Sequence, residues 1–438
     1  MLNVQLLIKL AAICAVTTGL AVSAKAQGQF TAETIVSPTI KTIKFYKREE
    51  QTTLPVIRLG QIEQLELHFD DLQTSPKNYF YTYILCNADW TYTGLSQMDY
   101  LRGFTQNRIN QYRASGGTFQ RYFHYQAILP DRNCVPARSG NYILRVFLNG
   151  DTAQTVFTRR MLVVDDRATV AAEVKQPFDQ RFFLTHQKLI TRVDIRALDV
   201  FNPAQQLKVV AMQNYRWDQA QQFSNPTFIR GKQYEYSAED NFVFEGGKEW
   251  RWLDLRSYRL QSDRVASVDY KANGFSVFVR PDTVRSPLRY LFYSDLNGRF
   301  IVSHIENINP FWQGDYAQVH FTFIPNDVAL MQQREVFLFG ELTGYSLDDG
   351  AAMQWNDNLQ AYEKTLLLKN GFYSYNYVTR PLNQRNARPE MQYTEGNSWE
   401  SENQYSIMVY YRAFGGRSDE LVGYIETNSL QFLTPQRR

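Results

Sequence analysis

Three cysteines in 438 residues are too few to staple a disulfide-built fold, and Cys14 falls within the first apolar run. Histidine occurs five times, as His68, His124, His186, His304 and His320, with no two at metal-ligand spacing. A lone histidine in a strand is read as a packed or surface residue. Cys-x-x-Cys, Gly-x-Ser-x-Gly and phosphate-cradling glycine loops are all missing. Neither charge sign dominates. Beyond the first 26 residues the chain carries 45 basic and 44 acidic residues, which argues against nucleic acid or an anionic membrane as main partner. No later apolar run approaches the length of a membrane helix. Catalytic, metal and cofactor sites are therefore expected to be absent.

The start of the chain has Lys9, an apolar stretch from Leu10 to Val22, and then Ala24-Lys25-Ala26. This is the pattern of a secretory signal peptide (residues 1–26) cleaved after Ala26. Cys14 follows Ile13 in mid-run, so a lipoprotein anchor is rejected. The mature chain is expected to begin at Gln27, which an intact mass of periplasmic material checks; a species retaining residues 1–26 would overturn it.

Aromatic residues are abundant, with 28 Tyr and 29 Phe. Runs such as "YFYTYIL" (79–85), "NYILRVFL" (141–148) and "EVFLFGEL" (335–342) are separated by Gly, Asn, Asp and Pro, the signature of strands and turns. In the second run Tyr142, Leu144, Val146 and Leu148 alternate, and Asn149-Gly150 supplies a tight hairpin turn. The reading is all-β, with tandem immunoglobulin-like or early-set-like sandwiches at 27–167, 168–309 and 310–438. One short helix is expected within 96–113.

The cluster "YILCNADW" (83–90) joins a thiol, an amide, a carboxylate and an indole. No basic neighbour is at hand to activate Cys86, so Cys86 is expected to pack, Asp89 to cap a turn and Trp90 to cover the core edge. Cys86 and Cys134 could bridge in an oxidising compartment; spacing leaves this open. The acidic pairs Asp70-Asp71, Asp165-Asp166 and Asp348-Asp349 read as turn caps at strand ends. "WNDNLQAY" (355–362) lacks the calcium-loop core and reads as a hairpin turn.

The order of "FDDL" (69–72), "YFYTYILCNADW" (79–90), "YLRGF" (100–104), "YFHYQAILP" (122–130) and "SGNYILRVF" (139–147) resembles the N-terminal domain of the type IX secretion system plug family of Bacteroidetes. "MQNYRWDQA" (212–220), "FEGGKEWRWLDLRS" (244–257), "SDLNGRF" (294–300) and "GNSWESENQYSIMVYYRAFGGRSDELVGY" (396–424) extend the resemblance over nearly the whole mature chain. "GGKEWRW" departs from the Asn-Glu-Phe-Arg that the family favours, at Lys248 and Trp250. The resemblance implies a non-enzymatic periplasmic protein, peripheral to the outer membrane and monomeric within its complex. Its partner would be the large translocon barrel, whose pore it seals when no cargo is in transit. Arg and Trp dominate tight contacts, which makes Arg216, Trp217, Trp250, Arg251 and Trp252 the candidate interface residues, with sandwich core as their alternative reading.

Two other readings stay open. Residues 336–378 resemble the early-set sandwich of glycogen-binding modules, and Trp355, Tyr362, Tyr373, Tyr375 and Tyr377 could form a sugar platform unless they fill the core. A signal peptide, abundant Tyr and Phe, and alternating strands also fit an outer-membrane barrel. Against that stand irregular strand lengths, charges on both strand faces in "QTVFTRRMLVV" (154–164), and a chain ending "FLTPQRR".

Overall fold

The structure, a computed structural model, describes residues 33–271 and 274–432. The signal peptide expected at residues 1–26 lies outside them. The chain is all-β, built from packed and mostly antiparallel sheets.

The first sandwich sets a six-stranded sheet against a four-stranded one. In the larger sheet the order is Thr34–Ile35, Thr155–Val164, Gly140–Leu148, Tyr79–Cys86 and Asn107–Arg108, with Val56–Arg58 running parallel to Thr155–Val164. The smaller is Ile40–Lys47, Leu65–Asp71, Phe123–Leu129 and Gln111–Ala114. Period-two alternation sends Tyr79, Tyr81, Tyr83 and Leu85 to one face, where they join Phe69, Tyr125 and Phe157 in the core. Phe69, Tyr79 and Tyr125 meet with ring centroids 4.7–5.1 Å apart. Asn149 (φ 54°) and Gly150 (φ 75°) form the expected hairpin turn.

Of the helix expected within 96–113, only Gln97–Tyr100 is helical. A capping box of Ser96 and Asp99 starts it. Gly103 (φ 90°) then turns the chain against Asn133, whose carbonyl lies 2.3 Å from where a Cβ would stand. Three short strands follow instead of further helical turns.

The division at residue 309 is corrected. The second sandwich pairs one sheet (Thr169–Lys175, His186–Asp194, Gln233–Tyr236, Phe228–Arg230, Val243–Glu245) with another whose centre is Leu207–Gln213 beside Gln404–Tyr411 and Glu420–Asn428. Val209 lies opposite Val409, and Tyr405, Ile407 and Val409 share a core with Leu189, Tyr236 and Phe244. The third sandwich is thus inserted into the second. Its strand Gly371–Pro381 pairs with Arg251–Asp254, Phe300–Val302 and Arg334–Phe339, so a cut at 309 would split one sheet. Strand periodicity marks where strands lie; it does not mark partners two hundred residues apart.

Three of the sequence motifs converge where the chain enters and leaves the insertion. A Cβ on Gly246 would stand 1.9 Å from the Ser398 carbonyl oxygen, so only glycine fits. Ser401 donates to the Gly246 carbonyl (2.6 Å), and the Gly247 N–H donates to Asn397 (3.0 Å). Asp295 accepts the N–H groups of Trp250 and Asn297, while the Trp250 ring lies 2.7 Å from where a Gly298 Cβ would be. Burial pushes Asp295 up to about 8 and Glu249 up to about 7. The native state therefore keeps protons that the unfolded chain loses above about pH 4. The pair's stabilisation is full below that pH and is lost as pH rises towards 8. Chemical unfolding from pH 4.5 to 8.5 should show a steeper loss in the wild type than in Glu249→Gln/Asp295→Asn. Identical slopes would refute the assignment.

Candidate interaction surfaces

The five candidate interface residues divide. Arg216 is buried, forks onto Asp218 (2.7 and 3.2 Å) and lies over the Phe339 ring. Trp250 is buried at the seam. Arg251 is buried and binds Asp282 (2.7 Å), Glu395 (3.0 Å) and the Thr283 carbonyl (2.7 Å). These three hold the fold and present no face to a partner, which corrects the expectation. Trp217 and Trp252 are half-buried, the first edge-on to Trp90 (4.9 Å), the second stacked on Phe372 (6.1 Å).

Cys86 and Cys134 are free and buried in separate clusters, so the possible bridge is not formed. Burial pushes each thiol up to about 12. Neither should react with Ellman's reagent until the protein is unfolded; prompt native-state reaction would contradict the packing. Cys86→Ser should cost about 1–3 kcal/mol in chemical unfolding. Asp89 does cap its turn, accepting the Thr91 N–H at 3.0 Å. Trp90 is only half-buried and has φ 65°.

The sugar platform is also corrected. Tyr362, Tyr373, Tyr375 and Tyr377 are buried in the third core, and the Tyr375 and Tyr377 hydroxyls donate to Asp282 at 2.8 and 3.0 Å. Trp355 is half-buried against Tyr362.

Sequence spacing missed a buried polar network between the first and third sandwiches. The strands Leu65–Asp71 and Phe123–Leu129 pair so that Asp70 lies opposite His124, two residues from His68. Asp70 does not cap a turn. It accepts from His124 Nδ1 (2.7 Å), from the Tyr316 hydroxyl (2.6 Å) and from Lys369. Burial drives His124 down to about 4, so the ring is neutral at neutral pH. Its Nδ1–H then faces Asp70, its Nε2 is an acceptor, and His68 Nδ1–H donates to it at 3.0 Å. Phe311 from the third sandwich stacks on His68 at 3.9 Å.

Other links fasten the first sandwich to its neighbours. Lys44 bonds Glu341 (2.8 Å) and the Phe300 carbonyl (2.7 Å). Asp419 takes the Ala88 N–H (3.0 Å) and pairs with Lys208 (2.8 Å), and Arg412 reaches Asn87 at 2.9 Å.

Large apolar side chains are exposed on two loops that reach the seam. One carries Phe178 and Leu184 (84% and 67% exposed), the other Leu291 and Phe292 (74% and 51%). The Leu184 carbonyl accepts the Trp399 N–H, while Tyr290 donates to Glu249, which also takes the Glu402 N–H. Exposed aromatic side chains are enriched at protein contacts. Among the described residues no helix is long and apolar enough to cross a membrane.

Residues 40–165 match the family profile described as type 9 secretion system plug protein, first domain. The chain is also similar to a hypothetical protein from Parabacteroides merdae ATCC 43184 whose crystal structure is known. Identity is 30%, the TM-score is 0.86, and the match covers 90% of this chain and 98% of that one. No curated protein matches.

Proposed function

The chain belongs to the plug protein family of the type IX secretion system, and from that membership we propose that it is a non-enzymatic periplasmic plug. In this reading it binds the outer-membrane translocon barrel and seals the pore when no cargo is in transit. The observation that carries it is the interlocking of the three sandwiches. One is inserted into another, and the first is pinned to both by buried charge and hydrogen bonds. A pore wide enough for folded cargo needs a stopper of comparable size that does not deform, and this architecture supplies one. The exposed loops with Phe178, Leu184, Leu291 and Phe292 replace the buried motif residues as the contact face.

The test is co-purification from detergent-solubilised outer membrane. Leu291→Asp/Phe292→Asp should cut recovery of the barrel about tenfold or more without shifting the melting temperature, because both side chains are exposed. Unchanged recovery in that variant and in Phe178→Asp/Leu184→Asp would rule out this face.

A further inference from the structure

The near balance of charge over the whole chain conceals one local imbalance. Between Gln97 and Arg138 stand six arginines, no lysine and no glutamate, against the two acids Asp99 and Asp131. The motif "YLRGF" (100–104) lies here, and neither the core nor the contact loops of the plug reading account for its exposed Arg102 and Phe104.

Two segments of the first sandwich, 99–108 and 131–138, are laced together at this place. Arg102 lies opposite Val135 in a short two-stranded ladder whose Leu101, Cys134 and Pro136 are buried, so alternation turns Arg102 outward. The Phe104 N–H donates to the Asn133 carbonyl (2.6 Å), beside Arg132. Asn107 donates to the Asp131 carboxylate (3.2 Å), which brings Arg108 to the same turn. Arg138 Nε donates to the Asp99 carbonyl (2.9 Å), next to Met98.

The positive charge here is unspent. Arg102, Arg108, Arg132 and Arg138 are exposed, and among the described residues none forms an ion pair; Arg108 bonds the Asn78 amide and Arg138 a carbonyl. The two acids are engaged elsewhere. Asp99 closes the capping box on the Ser96 N–H (3.0 Å), and Asp131 takes the Asn133 N–H (2.8 Å) besides Asn107. Met98 and Phe104 stand clear of the fold beside the guanidiniums, 85% and 66% exposed. The links to the neighbouring sandwiches run through Lys44, Asp70 and Ala88 and leave this face open.

We propose that this face binds an anionic phospholipid surface, a contact that the plug reading neither contains nor requires. Lipid phosphates meet the four guanidiniums, while Met98 and Phe104 enter the boundary below the headgroups. Guanidiniums fixed at separate points need an anion at each. Lipids diffuse laterally and gather under fixed charges, whereas a protein partner would need carboxylates placed in advance to match. Apolar tips likewise need no preformed pocket in a bilayer. Because the chain as a whole is near neutral, the attraction belongs to this face and orients the protein on the membrane.

The experiment sediments the mature protein with phosphatidylcholine vesicles that contain or lack phosphatidylglycerol. Binding is expected only with phosphatidylglycerol, and it should fall as salt screens the charges. Arg102→Gln, Arg108→Gln and Arg132→Gln should each weaken it about fivefold, and Met98→Ser/Phe104→Ser about tenfold or more. These side chains are exposed, so melting temperatures should stay in place. Equal binding to both vesicles, no binding, or indifference to the arginine variants would overturn the proposal. Binding to poly-glutamate in place of vesicles would assign the face to an acidic protein and overturn it equally. The comparison of the two vesicles on the wild type decides the matter even if a variant misfolds. Leu291→Asp/Phe292→Asp should bind lipid as the wild type does, and loss of binding there would refute the assignment to this face. No translocon enters the assay, so its failure and that of the plug reading are separable.

Discussion

Asp70→Asn should destabilise the protein by about 3–5 kcal/mol in urea unfolding, because it strands a buried cation. The Lys369 ammonium is fully buried, and without Asp70 it keeps the Phe311 carbonyl and the faces of Tyr122 (4.2 Å) and Tyr316 (5.5 Å) but no carboxylate within bonding distance among the described residues. Lys369→Met should cost a similar amount by stranding Asp70. The double variant should lose clearly less than the two single losses combined, since neither charge is then left alone. Burial would by itself raise the Asp70 carboxyl, but Lys369 and His124 outweigh it and hold the group below its ordinary value. Its contribution is therefore complete above about pH 4 and disappears as pH falls through the lowered native value. The deficit of Asp70→Asn should shrink on acidification. A deficit under about 1 kcal/mol at pH 7 would show that this network does not lock the sandwiches.

Arg251→Met should be comparably severe, again about 3–5 kcal/mol. The guanidinium bridges Asp282 and Glu395, both buried, and so ties the start of the insertion to its end. Arg251 and Arg285 hold Glu395 down at about 2 against a burial penalty that would raise it. Removing Arg251 leaves Arg285 and Arg264 to carry two buried carboxylates. Arg251→Lys should rescue poorly, because an ammonium cannot reproduce three hydrogen bonds fanned from one plane. Equilibrium unfolding measures both variants, and full rescue by lysine would reduce the site to a simple charge contact.

Strand identity was legible because alternation and turn chemistry are local. Tyr79, Tyr81 and Tyr83 face one way, as their spacing requires, and Asn149-Gly150 turns the chain. Partner choice was not legible. Nothing in the run 404–411 says that it completes a sheet begun at 207, so the insertion was invisible. The Arg and Trp of the middle motifs drew attention for the right composition and the wrong reason. Arg216, Trp250 and Arg251 are concentrated there because the seam needs bulky rings and fixed charges. The His68–His124–Asp70 network had one available signal: His68 and Asp70 share a strand face, and a second strand carries His124. Only the pairing register brings them together. Exposure of Leu291 and Phe292 could not be told from core composition, because apolar loop residues and short strands look alike in one dimension.

The plug reading is tested most directly by deleting the gene and measuring leakage of a large antibiotic or dye across the outer membrane. Loss of the protein should raise leakage while cargo secretion continues, and restoring the wild-type chain should reseal the pore where Leu291→Asp/Phe292→Asp does not. Unchanged permeability in the deletion strain, together with no co-purifying barrel, would contradict the account.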